Sequence, residues 1–352
     1  MDGGNLNEAY ERFHRTGPEW GENQLTNHGP MAAEVLVRRG HGAQLTGWVD
    51  AYARRLDDLP APTNPVTDLN WRTALGQRRR LADWTTYFTH QLDEAPWRDV
   101  LATWWPRLLP GIVAGTTHGV IRVGHVVRVL LVGVENPQAL TELAHGLAFW
   151  AAWSQPVPPA AAPAGVLDPL RALDALPRIP DQQGNVAARL GQLAEVGAWS
   201  ASVAALRPAA DAEDARTRLT DLVTGATLRY LTHGHASPVL LVHTATAPNA
   251  VLHTLPALPE TLWAPSLTAV WTAVAAVFAA YAPTDPLPAS ALPVPATPTG
   301  AAVADVLDRA VDHGDEHVIK FTDTAAEVYT RTGDTRALDA AVHASGLIAA
   351  GR

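Results

Sequence analysis

The sequence predicts a mostly α-helical protein, built as a single large multi-helix domain over residues 1–352. Three observations carry that expectation. Apolar residues recur every three to four positions through most of the chain, the spacing that lines one face of a helix. Hydrophobic residues make up 47% of the 352, enough to fill a sizeable core. Strand-like runs are few, and the clearest, "VLLVHTAT" over Val239–Thr246, is too short for its periodicity to separate it from buried helix.

Taken in chain order, Met31–Arg39 and Leu45–Leu59 read as amphipathic helices, the first starting near Pro30, where a missing N–H costs a helix nothing. Leu143, Leu147 and Trp150 share one face of a helix over Leu140–Trp153. "TLWAPSLTAVWTAVAAVFAAYA" reads as a buried helix that begins after Pro265, with Ser266 near its cap. The last 50 residues read as two helices split by "RTGDT", Gly333 ending one and Asp334 capping the next. Two Pro/Ala-rich stretches, near 154–165 and 282–299, read as stiff surface connections within the one domain. "THGHAS", with His233 and His235, reads as a loop.

Composition narrows the functions. A formal charge of −9 argues against a nucleic-acid groove. The absence of cysteine excludes disulfides, Cys-zinc sites and iron–sulfur clusters. The N-terminus shows no basic, apolar signal region, and no charge-free, proline-free apolar run reaches membrane-spanning length, so a cytoplasmic protein without membrane partners is expected. There is no G-x-G-x-x-G loop, P-loop, G-x-S-x-G elbow or H-E-x-x-H.

The remaining chemistry lies in histidine and in one lysine. Of 26 basic residues, Lys320 alone is lysine. Unlike arginine, a lysine can lose its proton when buried, and its free amine can take up carbon dioxide as a carbamate. His317 and Lys320 stand at i and i+3, so one helix can point both at the same ion. His313, four residues before His317, shares that spacing, although Gly314 weakens a helix there. His28 lies in "TNHGPM", His118 in "THGVIRVGH" and His243 at the end of an apolar run. His118 and His125 are two turns apart, about 10 Å along a helix, so both cannot bind one ion, and His125 is the supporting residue of the two. Twelve tryptophans, among them Trp105 and Trp150, offer flat walls for a polycyclic substrate, or simply core.

"NHGPM", "HGVIRVGH", "ELAHGLAFWAAW", "LLVHTATAPNAVLHTLPALP" and "DEHVIKFTDTA" resemble, in order and separation, the blocks of the questin oxidase-like family. The resemblance runs from about residue 7 to residue 350. It implies oxygen-dependent tailoring of an aromatic polyketide, a Baeyer–Villiger-type insertion or a dioxygenation that opens an anthraquinone ring. It also implies a non-haem Fe(II) site in a buried cavity, with His28, His118, His243 and His317 as ligands and a carboxylated Lys320 as the one anionic oxygen donor. Catalysis would then turn on Lys320 and His317. Five ligands leave one octahedral position open, and imidazole with a carboxylate-like oxygen suits Fe(II). NADPH, with no loop here to bind it, would act only through a separate reductase, and a dioxygenation needs none. Two alternatives stay open at this point: a metal-dependent hydrolase with a carboxylated lysine, and a helical binding protein without metal. The oligomeric state has no sequence signal.

Overall fold

The computed structural model describes residues 3–19, 26–133, 135–292 and 302–351. Helices dominate, as expected, and the described residues cluster into two compact units. The first comprises Met1–Pro156 with His253–Leu262, the second Val157–Leu252 with Trp263–Arg352. The boundary at Pro156 falls in the first Pro/Ala-rich connection. Of the second connection, residues 293–299 lie outside the described residues.

In the first unit the helices are α1 (Gly3–Phe13), α2 (Gly29–Arg38), α3 (Gly42–Ala53), α4 (Trp71–Ala74), α5 (Leu81–Glu94), α6 (Trp97–Leu108), α7 (His118–Leu131) and α8 (Pro137–Ala152). α8 is central: α5, α7 and α1 pack on it, while α2 packs against α1, α3 and α7. Its start is written in the sequence, since the Asn136 side chain accepts the Ala139 N–H and Pro137 follows. Trp84, Trp104, Phe88 and Tyr87 form an edge-to-face and stacked aromatic core. Two ion clusters tie α7 to its neighbours. Arg128 and His125 of α7 grip Glu34 of α2, and Arg122 of α7 holds Glu142 of α8 through two parallel hydrogen bonds.

The helix expected over Leu45–Leu59 is shorter than that. It ends at Ala53, and Leu56–Asp58 (β2) pairs antiparallel with Thr16–Glu19 (β1). Ala53, Leu56 and Leu59 keep a helical spacing beyond Tyr52, but none of them is fully buried, and the ladder to β1 and the Leu59 N–H to Arg15 carbonyl bond (3.0 Å) decide the chain's course.

The second unit holds α9 (Pro169–Asp174), α10 (Val186–Gly191), α11 (Trp199–Ala204), α12 (Ala212–His233), α13 (Pro238–Leu241), α14 (His243–Thr254), α15 (Trp263–Tyr281), α16 (Ala302–His313), α17 (Glu316–Thr332) and α18 (Arg336–Leu347). α12 packs on α9, α15, α17 and α18, and α17 on α16 and α18. The stretch Glu260–Tyr281 is long and apolar enough to cross a membrane, yet 61% of its most apolar window is buried inside the protein, as in a core helix.

One local reading left open is decided here, and four change. Val239–Thr246 is helical: Pro238 opens α13, and the Thr244 and Thr246 hydroxyls bond back to the Leu241 and Val242 carbonyls, which suits a helix better than a strand. His233 is not in a loop but ends α12. α15 begins at Trp263, before Pro265, because the first turn has no N–H partner for proline to remove. The last 50 residues make three helices, since Gly314 (φ +78) and the Asp315 cap break the chain before α17. Gly333 does end α17 in the left-handed conformation. Thr335, rather than Asp334, is the next cap, while the Asp334 carboxylate accepts the Arg336 N–H.

Candidate metal centre

Each part of the triplet Asn27-His28-Gly29 has a structural task. The Asn27 side-chain Oδ1 accepts the Gly29 N–H (3.0 Å) and its Nδ2 donates to the Thr16 hydroxyl (2.9 Å), which sets the turn into α2. A Cβ on Gly29 would stand 2.4 Å from the Phe13 ring, so only glycine lets that ring lie against the backbone. His28, buried between them, directs Nδ1 to the Tyr52 hydroxyl (3.1 Å).

His118 is the first residue of α7 and follows an unusual turn. Gly115, Thr116 and Thr117 all have positive φ, at 54°, 58° and 70°. A β-branched residue held there costs on the order of 1–3 kcal/mol, and such strain concentrates at functional sites. The turn brings the Gly115 carbonyl onto His118 Nδ1, so Nδ1 carries the hydrogen and Nε2 is left as an acceptor. Next in the chain, Gly119 lets α7 approach α8 closely, since a Cβ there would stand 2.7–2.8 Å from Trp150.

These two constructions bring His28 Nε2 and His118 Nε2 to 2.8 Å, with the rings nearly perpendicular at 82°. The other nitrogen of each ring faces an oxygen that calls for a donor. Two Nε2 lone pairs therefore point at one another, an arrangement that repels unless a cation lies between or beside them. Adjacent ligands of one ion, each about 2.1 Å away, are separated by about 3 Å. The pair fits a metal ion.

In the second unit His243 opens α14, and His317 and Lys320 stand one turn apart at the start of α17. The rings of His243 and His317 lie 5.6 Å apart. His243 Nδ1 faces the Leu240 carbonyl (3.2 Å), which again leaves Nε2 as the acceptor. Burial holds the His243 imidazole far below its ordinary pKa, and the charges of His317 and Lys320 push the same way. It is a neutral imidazole, the form that binds metal. Asp315 caps α17 by accepting the His317 and Val318 N–H groups at 2.8 and 3.1 Å. Burial would raise its carboxyl pKa, but hydrogen bonding from His317 and from the helix start outweighs that and lowers it. Asp315, Glu316 and His317 offer ligand atoms within 4.8 Å of one another. Lys320 is 3% exposed, a depth at which an ammonium is costly.

The remaining candidates have other surroundings. His125 Nδ1 lies 2.9 Å from Glu34, inside the Arg128 ion cluster. His313 ends α16, so it does not share a helix with His317, and its Nε2 faces the Ile348 carbonyl (3.1 Å). Trp105 and Trp150 pack edge to face at 5.1 Å and are fully buried, as core residues would be. An open groove of about 390 Å³ in the first unit is lined by Val66, Asp68, Tyr87 and His90, among others, and includes none of the expected ligands.

Sequence reasoning missed several groups. Glu19 and Tyr52 carry no motif: Glu19 comes to His28 from β1, and Tyr52 from α3, which packs on α2. Asp315 was accessible in principle, as an aspartate one residue past a glycine at a helix start. The buried His145 and the half-buried His14, stacked at 4.8 Å beside the Glu142–Arg122 pair, are also polar groups without a local signature.

A mostly helical protein whose buried histidines and carboxylates can hold a metal ion is the class that fold and geometry define. A match to the questin oxidase-like family extends over residues 27–324, and the chain belongs to that family. Membership points to an oxidative enzyme acting on polyketides. No curated protein matches the chain.

Proposed function

We propose that this chain is a non-haem iron oxygenase that uses O2 to cleave or oxygenate a polycyclic, anthraquinone-like polyketide, with His28, His118, His243, His317 and Lys320 as the iron ligands. The observation that carries the reading is the His28–His118 pair, whose Nε2 atoms stand 2.8 Å apart with both Nδ1 atoms turned to oxygen. Bound iron would supply activation of dioxygen toward an electron-rich ring. The residues themselves do the rest. Backbone carbonyls face Nδ1 of His118 and His243, and the Tyr52 hydroxyl faces Nδ1 of His28, which turns Nε2 of these rings to the ligand role. Once deprotonated, Lys320 would add carbon dioxide at Nζ with loss of one proton, and the carbamate oxygen would be the anionic donor that the imidazoles lack. The same carbamate is placed to take a proton from a substrate hydroxyl. A dioxygenation draws its electrons from the substrate, so NADPH is not required.

Family membership supports the oxidative reading. The helical fold speaks against the hydrolase alternative, whose carbamate sites usually sit on a β/α barrel. Metal analysis of the purified chain and its Lys320→Ala variant, both prepared in bicarbonate, tests the site. About one iron per chain, lost in the variant, is expected, with hydroxyanthraquinone turnover under O2 that NADPH does not change. Zinc retained by both proteins, or no metal even after anaerobic Fe(II) addition, would overturn it.

A further inference from the structure

The three imidazoles whose Nδ1 partner is defined are not oriented in the same way. His118 and His243 direct Nδ1 at main-chain carbonyls, of Gly115 and Leu240, so no side-chain substitution can remove those partners. His28 relies on a side chain, the Tyr52 hydroxyl.

That hydroxyl has one hydrogen and two lone pairs, and its neighbours assign all three. Glu19 Oε1, at 2.7 Å, can only accept, so the hydrogen goes there. The Thr26 carbonyl is a more distant neutral acceptor, at 3.5 Å. The His28 backbone N–H, at 2.7 Å, can only donate and takes one lone pair. The second lone pair faces His28 Nδ1 at 3.1 Å, which must therefore carry a hydrogen. Glu19 Oε1, itself 3.5 Å from Nδ1, favours the same form. Arg55 Nη2 pairs with that carboxylate oxygen at 3.0 Å, and β1 and β2 hold the strands that bear Glu19 and flank Tyr52. Tyr52 is fixed from its other side as well, stacked on Trp48 at 5.0 Å and 6°.

We infer that Tyr52, anchored by Glu19, is a positioning residue that locks His28 in the Nδ1–H form and turns its Nε2 lone pair toward the metal. The inference rests on the iron reading above. Outer partners of this kind typically contribute 10–100-fold to metal affinity.

Tyr52→Phe keeps the ring and its stacking and removes only the oxygen. The apo full-length chain, its Tyr52→Phe variant and its Glu19→Gln variant are titrated anaerobically with Co(II) against a chelating indicator. The visible cobalt spectrum and the metal-free melting temperature are recorded for each. The expected result is a weakening of about 10–100-fold for Tyr52→Phe with an altered cobalt spectrum, and a smaller loss, under about tenfold, for Glu19→Gln, whose amide oxygen still accepts. A purely structural role would lower the melting temperature but leave the affinity and spectrum of the folded protein unchanged, and that result overturns the inference. If Tyr52→Phe does not fold, Glu19→Gln decides, because unchanged affinity and spectrum there also overturn it. Failure of the wild-type chain to bind Co(II) or Fe(II) would refute the iron reading itself, and the inference with it.

Discussion

Replacing Gly119 with alanine sets two effects against each other, and the structure says which wins. In an unconstrained helix interior, glycine to alanine gains about 1 kcal/mol through backbone entropy and helix propensity. At Gly119 the new Cβ would lie 2.7 Å from Trp150 Cβ and 2.8 Å from its Cα and Cγ. One of those atoms is backbone and two begin a fully buried indole, so neither side can yield cheaply. Overpacking of this kind costs about 1–3 kcal/mol or somewhat more, and three simultaneous contacts put it at the upper end. The net expectation for Gly119→Ala is a loss of about 2 kcal/mol, or roughly 4–8 °C in Tm for a unit of this size. Gly47, exposed in α3 with nothing within 4 Å of its Cβ position, is the control, and Gly47→Ala should stabilise by about 0.5–1 kcal/mol. Thermal unfolding followed by circular dichroism measures both. A Gly119→Ala protein as stable as Gly47→Ala would refute the claim that close approach to Trp150 is why glycine follows His118. Because α7 must move outward to accept the methyl group, the variant should also bind metal more weakly.

Acid should weaken the first unit. Burial, reinforced by Arg122, lowers the His145 pKa from 6.5 to about 3, while for Glu142 the charge and hydrogen bonds of Arg122 overcome burial and lower it from 4.5 to about 2. Both pKa values are depressed on folding, so below neutrality the unfolded chain binds more protons. The His145 contribution is lost as pH falls from about 6.5 toward 3, and the Glu142 contribution from about 4.5 toward 2. Between pH 7 and 4.5 His145 alone should remove roughly 2–3 kcal/mol, read as a lower urea midpoint that His145→Phe restores in part, and a flat profile would contradict this. Glu34→Gln should cost about 3–5 kcal/mol by stranding Arg128 in the core, with an unfolding midpoint within 1 kcal/mol of wild type as the opposing result. Asp315→Ala should cost about 0.5–2 kcal/mol through loss of the α17 cap, Asp315→Asn less, and equal stability of the two variants would argue that capping is not the reason.

The helical class was legible because apolar spacing and capping residues act locally. Pro137 after Asn136 and Gly333 after Thr332 mark helix ends with chemistry confined to one turn. Some errors were local, as at the Gly314–Asp315 break before α17, and others came where a distant partner decided the outcome. Leu56–Asp58 leaves the helix because of β1, forty residues earlier, and no pattern within "RRLDDL" reveals that partner. The histidines themselves were legible through residue type and motif. Their orientation was not, since the Thr116–Thr117 turn puts β-branched residues at positive φ, against their own preference. Glu19 and Tyr52 were invisible for the same reason as β1, because the bonds that tie Tyr52 to His28 and to Glu19 join residues 24 and 33 apart in sequence.

His28 precedes α2 directly, His118 opens α7, His243 opens α14, and His317 is the second residue of α17. Each candidate histidine ligand thus stands where a chain enters a helix, among the first amides, which have no partner within the helix and exchange hydrogen with solvent most readily. A ligand pinned there ties down the end at which its helix frays. Metal loading should therefore be readable far from any chromophore, as slowed deuterium uptake in four separate peptides that begin at residues 28, 118, 243 and 316, with the middle and far ends of the same helices unchanged.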